Sequence, residues 1–192
     1  SYTATATDQY GCSAASSSVT VTVSPLVGGV IASTKNSVCT GSIPQAMTST
    51  SPASGGTGAT GDYSYQWQIS TTSNTDASFT DIPTFTSETF TPTQTANTTT
   101  YFRRKVTNLG IVAYSNVLTF TVNALPTVTA TASPASVVSG GTTTLSAVGA
   151  STYAWTGASL VTNNTSSVTA NPTAQTTYSV TGTDANGCVN TA

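Results

Sequence analysis

Apolar and hydroxyl side chains alternate with a period of two along most of this chain. Val19, Val21 and Val23 alternate with threonines, and the same pattern recurs over residues 118–122. Such alternation places apolar side chains on one face of a strand and hydroxyls on the other, which is typical of a half-buried strand. No stretch carries a sustained helical spacing, and turn residues recur roughly every 8–12 positions. The pattern therefore predicts an all-β fold of antiparallel β-sandwiches.

The chain is almost uncharged. Four basic and six acidic residues occur among 192, for a formal net charge of −2, whereas threonine (44) and serine (27) are abundant. A nucleic-acid partner is excluded because the only cationic cluster is Arg103-Arg104-Lys105. No apolar run reaches the roughly 18–20 residues of a membrane helix, so we expect no membrane insertion. The chain opens within a strand pattern and without the features of a signal peptide, so we expect a piece of a longer protein.

Catalysis is not predicted from this composition. Histidine is absent, so neither a serine–histidine–aspartate nor a cysteine–histidine arrangement can form. Neither a nucleophile elbow nor a phosphate-binding glycine-rich loop is present. Asp76 and Asp81, which flank Phe79, are a candidate catalytic or calcium pair, but calcium requires about six to eight oxygen ligands. We therefore predict that the protein is not an enzyme and uses no cofactor and no metal.

A short internal repeat occurs at the two ends of the chain. Residues 2–12 (YTATATDQYGC) match residues 178–188 (YSVTGTDANGC). Asp8 and Asp184 occupy the same position in the two copies. Their interpretation is structural, because an aspartate there caps a hairpin turn through an Asx hydrogen bond.

The repeat predicts three units. Residues 1–24 are the last two strands of a truncated domain, residues 25–124 are a complete domain, and residues 125–192 are a domain that lacks most of its last strand. Residues 24–26 and 123–126 are expected to be short linkers that proline makes stiff.

Each of the two longer units carries one tryptophan on its third predicted strand and one tyrosine that opens a late strand. These residues are Trp67 with Tyr101, and Trp155 with Tyr178. A core tryptophan followed by a corner tyrosine is a feature of immunoglobulin-like sandwiches. The cysteine pair that usually joins the two sheets is missing, so we expect these aromatic residues and the aliphatic side chains to form the structural cores.

Several segments carry a family resemblance. Residues 25–124 contain GGVI, VCTG, YQWQ and TYFRR, and residues 125–192 contain YAWT and TGTDANGC. With these segments the chain resembles the PKD-like, immunoglobulin-like repeats of giant cell-surface proteins of Bacteroidota, although the WDFGDG run of true PKD domains is absent. Such proteins are exported by the type IX route and include the adhesins of gliding motility. The resemblance implies tandem sandwiches in a rod-like array at an extracellular cell surface.

The predicted function is therefore a non-catalytic structural segment, a stalk or filament of a repetitive cell-surface adhesin that presents or forms a surface-binding fibre. Its expected partners are further repeats of the same polypeptide or filament, with polysaccharide surfaces as additional candidates. Two alternatives stay open. One is a carbohydrate-binding or spacer module of a secreted polysaccharide-degrading enzyme, and the other is a polymer completed by strand donation through residues 13–24.

Three tyrosines near turns are candidate glycan contacts. Tyr10 lies at a hairpin tip, and Tyr63 and Tyr65 lie beside a glycine-rich loop, where an aromatic ring can stack on a sugar. Core or strand-covering roles are the favoured interpretation. A further candidate is an intramolecular isopeptide bond from Lys35 to an asparagine such as Asn116, with Glu88 as the proton shuttle.

The cluster Arg103-Arg104-Lys105 is a candidate contact for a sulfated glycan or a phosphate. On a strand, Arg103 and Lys105 point to one side and Arg104 to the other. The favoured interpretation is that these long side chains cover the solvent face of a sheet and pair with Glu88 or Asp81.

The positions of the three cysteines predict one specific pairing. Cys39 falls in the first turn of the second unit, at the end of that unit from which the chain exits. Cys188 follows the last turn of the third unit, at the end of that unit where the chain enters, so the two cysteines face each other across the linker. We predict a Cys39–Cys188 disulfide that fixes the angle between these units in an oxidising, extracellular setting. Cys12 is expected to bond a preceding domain. Three unpaired thiols are the alternative.

Overall fold

The computed structural model describes residues 1–22, 24–56 and 62–192. The protein is all-β, as the alternation predicts, and a single 3-10 turn at Asp76–Ser78 is the only helix in these ranges. Within the same ranges, no helix has the length and apolar character that crossing a membrane requires.

The strands fall into three groups along the chain. A first hairpin consists of β1 (Thr5–Thr7) and β2 (Ser13–Ala15). The second group comprises β3 (Ser24–Val27), β4 (Val30–Ser33), β5 (Ser37–Cys39), β6 (Met47–Ser51), β7 (Ser54–Gly56), β8 (Ser64–Ser70), β9 (Thr80–Asp81), β10 (Thr100–Asn108), β11 (Ile111–Tyr114) and β12 (Leu118–Asn123). The third group comprises β13 (Thr129–Ser133), β14 (Thr143–Val148), β15 (Thr152–Thr156), β16 (Ser167–Ala170), β17 (Ser179–Thr183) and β18 (Val189–Thr191).

The second group of strands encloses the first core. Its large sheet has the order β5-β12-β10-β8-β9, with β11 paired to β10, and only the β5-β12 pair among these described strands is parallel. Two-stranded sheets β3-β7 and β4-β6 supply the other layer. The buried cluster draws side chains from both layers: Ile31, Val38, Met47, Trp67, Phe90, Ala96, Phe102, Leu118 and Phe120. This layered, antiparallel architecture is that of a β-sandwich.

The third group of strands encloses the second core, between sheets β13-β14-β16 and β15-β17-β18. Trp155 is 3% exposed in this cluster, as Trp67 is fully buried in the first. Both indoles donate their N–H to a loop carbonyl, Trp67 to Ser87 at 2.9 Å and Trp155 to Thr165 at 3.0 Å. Each bond satisfies the one polar group of a buried tryptophan. The two cores are thus anchored by the same device.

The repeat seen in the sequence corresponds to two hairpins with one register. In the first hairpin Thr5 lies opposite Ala15, and in the second Thr181 lies opposite Thr191. Two positions further along each ladder, the pair Thr7 with Ser13 has its counterpart in Thr183 with Val189. All four pairings keep the same offset, so the match between residues 2–12 and 178–188 is a structural repeat.

The strand predicted from the alternating valines near the start of the chain does not form at Val19 and Val21. Val19 forms only an isolated bridge with Tyr2, and Val21 lies outside any strand, although Val23 is beyond the described residues. Val19 and Val21 are 62% and 64% exposed. In the described part of the chain no second sheet covers the β1-β2 hairpin, so the alternating valines have no core to enter.

Residues 24–26, predicted to be a linker, instead belong to β3, which pairs with β7. Pro25 is tolerated here because β3 is an edge strand, where a missing backbone N–H leaves no ladder bond unmade. A Cβ on Gly55, whose φ is +76°, would lie 2.0 Å from the Pro25 carbonyl oxygen. This close approach requires glycine and explains how β3 joins the sandwich.

Tyr101 is not the core residue that the sequence predicts. On β10, Arg104 lies opposite Trp67, so Phe102, two positions away, shares the face of Trp67, whereas Tyr101 lies on the opposite face. Phe102 is 3% exposed inside the first core, and its ring centroid lies 5.6 Å from that of Phe120. Tyr101 is half-buried outside that cluster.

The matching residue in the second core, Tyr178, does pack against the cluster. There Trp155 lies opposite Val180, and Tyr178 is two positions from Val180, as Phe102 is from Arg104. The structural counterpart of Tyr178 is therefore Phe102. The sequence match of the two tyrosines is shifted by one residue.

This shift can be tested with two neighbouring substitutions. Phe102→Ala should lower the free energy of unfolding by about 3–5 kcal/mol, because it empties a packed aromatic site. Tyr101→Ala, the matched control on the opposite face, should cost about 1 kcal/mol. Urea denaturation measures both changes, and equal losses for the two variants would contradict the assignment of faces.

Candidate functional site: the disulfide junction

Strand β5 carries Cys39 to the end of the large sheet of the first core. Cys39 is the last residue of β5 and pairs in parallel with Asn123, the last residue of β12. The backbone N–H and the Oγ1 hydroxyl of Thr40 both donate to the Asn123 carbonyl, at 2.8 and 3.1 Å. Cys39 is therefore fixed to the strand from which the chain leaves the first core.

A tight turn holds Cys188 at the start of β18. The carboxylate Oδ1 of Asp184 accepts the backbone N–H groups of Asn186 and Cys188, each at 2.8 Å. The N–H of Asp184 donates to the Cys188 carbonyl at 2.9 Å, and Gly187 supplies the positive φ, +82°, that closes the turn. This is the Asx cap predicted for Asp184. It fixes Cys188, which is fully buried.

Cys39 and Cys188 form a disulfide, with their Cα atoms 5.5 Å apart and a sequence separation of 149. This is the pairing that the sequence predicts. Beside it, the Asn190 side chain donates from Nδ2 to the Pro126 carbonyl at 2.9 Å, within the segment that connects the two cores. A buried disulfide indicates a non-reducing environment. The two cores are thus connected by the peptide chain and by the disulfide, and the Asn190–Pro126 hydrogen bond ties the second core to the connecting segment.

A family model described as Domain of unknown function (DUF8696) matches residues 27–124, just over half of the chain. The chain belongs to this family. No curated protein matches it. The DUF8696 region spans the first core from the end of β3 through β12 and contributes Cys39, whereas Cys188 lies in the second core, outside the matched residues.

In the DUF8696 region, β10 carries three of the four basic residues, and two of them are buried. Arg103 and Arg104 are 3% and 0% exposed, so the prediction that they cover a solvent face is wrong. The Arg103 guanidinium lies between the rings of Phe79 and Tyr114, at 4.1 and 3.8 Å from their centroids, and pairs with the carboxylate of Asp76. Two aromatic faces replace the water that a buried cation loses.

Arg104 lies on the core face of the same strand. It donates to the carbonyls of Glu88 and Gly28, at 2.8 and 3.1 Å, and its guanidinium stands 4.7 Å from the ring centroid of Tyr65. The Glu88 carboxylate is 3.8 Å away. Burial lowers the pKa of Arg104 from its usual value. Arg104 therefore joins β10 to two loops instead of presenting a cation to an anionic ligand.

The two aspartates predicted as a catalytic or calcium pair serve separate cations. Asp76 pairs with Arg103, and Asp81 lies 2.9 Å from the Lys105 ammonium and accepts a 2.6 Å hydrogen bond from Gln68. The Gln68 bond and then Lys105 lower the pKa of Asp81 below its usual value. In the described ranges no group of three or more histidine, cysteine or acidic residues is arranged to hold a metal ion.

The candidate glycan tyrosines do not share one face. Tyr10 is 82% exposed on the first hairpin, whereas Tyr63 donates its hydroxyl to the Gly55 carbonyl at 2.8 Å. Tyr65 is half-buried beneath Arg104, and burial raises the pKa of its phenol. Tyr63 and Tyr65 therefore have the structural roles favoured from the sequence.

The candidate isopeptide residues also have other roles. The Asn116 amide accepts the Ile31 N–H at 2.8 Å and donates to the Ile31 carbonyl at 3.0 Å, while Lys35 is exposed. This two-way amide bond pins β4 to the segment before β12. Sequence reasoning missed it, because an asparagine in a loop carries no signal of a partner 85 positions away.

Asp81 should contribute to the pH dependence of stability. Because its folded pKa is depressed, its contribution is complete above the unfolded value, about 3.9, and is lost as the pH falls through the folded pKa. Asp81→Asn should therefore flatten the acid limb of the stability curve, measured by urea denaturation between neutral and strongly acidic pH. Lys105→Gln should flatten it less, since the Gln68 bond remains. An unchanged acid limb in Asp81→Asn would contradict this role.

Removal of the disulfide should destabilise the chain. The double variant Cys39→Ser/Cys188→Ser should lower the free energy of unfolding by about 2–5 kcal/mol, since the bond restricts the unfolded state over a long loop. Urea denaturation followed by the fluorescence of Trp67 and Trp155 reports on both cores. Cys12→Ser, which removes an exposed free thiol, is the matched control and should leave the midpoint in place. A double variant as stable as the control would refute the prediction.

Proposed function

We propose that this protein is a non-catalytic, load-bearing segment of a repetitive cell-surface adhesin or filament, built from tandem immunoglobulin-like sandwiches. The observation that carries the proposal is the Cys39–Cys188 disulfide, which connects the two cores outside the peptide linker. A bond in this place is suited to transmitting tension between modules. It adds no chemistry of its own.

The strand arrangement supports the immunoglobulin-like part of the proposal. In the large sheet of the first core, β12, β10, β8 and β9 follow in the order expected of strands G, F, C and C′, and β5 joins β12 in parallel as an A′ strand does. A buried tryptophan lies on the C-type strand of each core, Trp67 on β8 and Trp155 on β15. Both cores therefore fit one architectural plan.

The path of tension supports the load-bearing part. When the ends of the chain are pulled, force reaches Cys39 and crosses the disulfide to Cys188, so the loop of residues 40–187 between them carries none of it. That loop holds β6 through β17, including Trp67 and Trp155. Most of both cores is therefore shielded, and the peptide linker at Pro126 bears no load while the bond is intact.

The surface chemistry agrees with an extracellular structural role. With four basic and six acidic residues in 192, the chain is solvated mainly by hydroxyl groups. The buried disulfide requires a non-reducing compartment. Neither the hydroxyl-rich surface nor the disulfide depends on a catalytic centre. The partners that a tandem segment needs are further repeats of the same polypeptide.

Single-molecule force spectroscopy tests the load path. The oxidised chain, pulled from its two ends, should gain at most about 150 Å of contour length, because roughly 40 residues lie outside the disulfide loop. The double variant Cys39→Ser/Cys188→Ser should extend by about 650 Å, the length of the whole chain.

Cys12→Ser is the control and should behave as the oxidised parent, since Cys12 lies outside the loop. Release of the full contour length from the oxidised protein would refute the proposed load path.

A further inference from the structure

The first hairpin has the geometry of the hairpin that carries Cys188. In its turn, Asp8 Oδ1 accepts the N–H groups of Tyr10 and Cys12, each at 2.9 Å, as Asp184 accepts those of Asn186 and Cys188. The Asp8 N–H donates to the Cys12 carbonyl at 2.9 Å, the same length as in the second copy. The positive φ of Gly11 is +83°. Cys12 is thus presented as Cys188 is.

The two copies differ in what covers them. Cys188 is fully buried and bonded to Cys39, whereas Cys12 is exposed and free. Tyr178 packs against the second core, whereas its counterpart Tyr2 is 74% exposed. The two side chains that are covered in the second copy are therefore exposed in the first.

In the second copy, the covering partner has two parts. Residues 125–176 supply the body of the second core, against which Tyr178 packs. A Cβ on Gly157 would lie 2.3 Å from the Tyr178 ring, so glycine opens the space that the ring fills. The DUF8696 region supplies the thiol of Cys39.

We propose that residues 1–22 dock onto a body of the residue 125–176 type that follows another DUF8696 unit in the same polypeptide, and that Cys12 bonds the cysteine of that unit at the Cys39 position. The inference rests on the tandem arrangement in the proposed function. It identifies the partner of the first hairpin as a second pair of modules of the kind seen in this chain.

The bond forms by thiol–disulfide exchange with a small disulfide such as oxidised glutathione. The Cys12 thiolate attacks one sulfur of the small disulfide and releases one thiol. The thiolate at the Cys39 position then attacks the Cys12 sulfur of the mixed disulfide and releases the second thiol. Two protein thiols are oxidised to one disulfide, and one small disulfide is reduced to two thiols.

A chimera made from this chain alone tests the proposal. Residues 25–176 are placed directly before Ser1 of the intact chain, so that Ser1 and Tyr2 follow Thr176 where Thr177 and Tyr178 do in the natural sequence. The added copy then has the first hairpin as its only final hairpin. After refolding with oxidised and reduced glutathione, free thiols are alkylated and peptides are mapped without reduction.

The expected result is loss of Cys12 alkylation, with Cys12 joined to Cys39 of the added copy and the natural Cys39–Cys188 bond retained. Cys12 of the parent chain should be alkylated completely under the same conditions. In the control chimera with Cys39→Ser in the added copy, Cys12 should again be alkylated, while the total fluorescence remains that of four buried indoles.

Two results would overturn the inference. One is an alkylated Cys12 in a chimera whose four tryptophans are all buried, which shows docking without the bond. The other is fluorescence from an exposed indole in the chimera but not in the parent chain, which shows that residues 1–22 do not replace residues 177–192. Neither result affects the Cys39–Cys188 force path, so failure here is distinguishable from failure of the proposed function.

Discussion

Both cores depend on one row of apolar side chains from each strand, closed around a tryptophan. A chain with 37% hydrophobic residues has little apolar surface to spare, so each strand commits one face to the interior and leaves hydroxyls outside. Trp67 and Trp155 supply the largest buried surfaces, and each donates its indole N–H to a loop carbonyl, that of Ser87 or Thr165. The bond to Ser87 also holds the next residue, Glu88, whose carbonyl accepts a hydrogen bond from Arg104.

The junction between the cores adds a second constraint, and it is built from backbone geometry. Asp184 fixes Cys188 in the turn before β18, and the pairing of β5 with β12 fixes Cys39 at the end of β5. The two sulfurs are therefore brought together by strand ends. A rigid scaffold on both sides means that little conformational freedom is lost when the bond forms. Like the contacts within each core, the link between the cores is made by groups that the strands already hold in place.

Period-two patterning is sufficient to predict an all-β chain, and turn position is sufficient to predict the Cys39–Cys188 pair. The face of the sheet on which a residue lies is harder to predict. Tyr101 and Phe102 are both aromatic, and only the pairing of β10 with β8 decides which of them lies in the core. The burial of Arg104 escapes sequence reasoning for a related reason. The carbonyl groups that accept its hydrogen bonds come from loops distant in sequence, so a basic residue in an apolar row carries no sign of burial.

The burial of cations on β10 also affects how proteases meet this protein. Enzymes that cleave after lysine or arginine find four such residues in the sequence, of which Arg103 and Arg104 are inaccessible and Lys105 is held in the middle of a paired strand. Lys35, between β4 and β5, is the exposed one. A cut there leaves residues 36–192, with the disulfide and both tryptophans, as one covalent piece. Of its four basic residues this chain therefore offers trypsin-like enzymes one exposed site, and a cut there breaks the covalent path from the first hairpin to the disulfide.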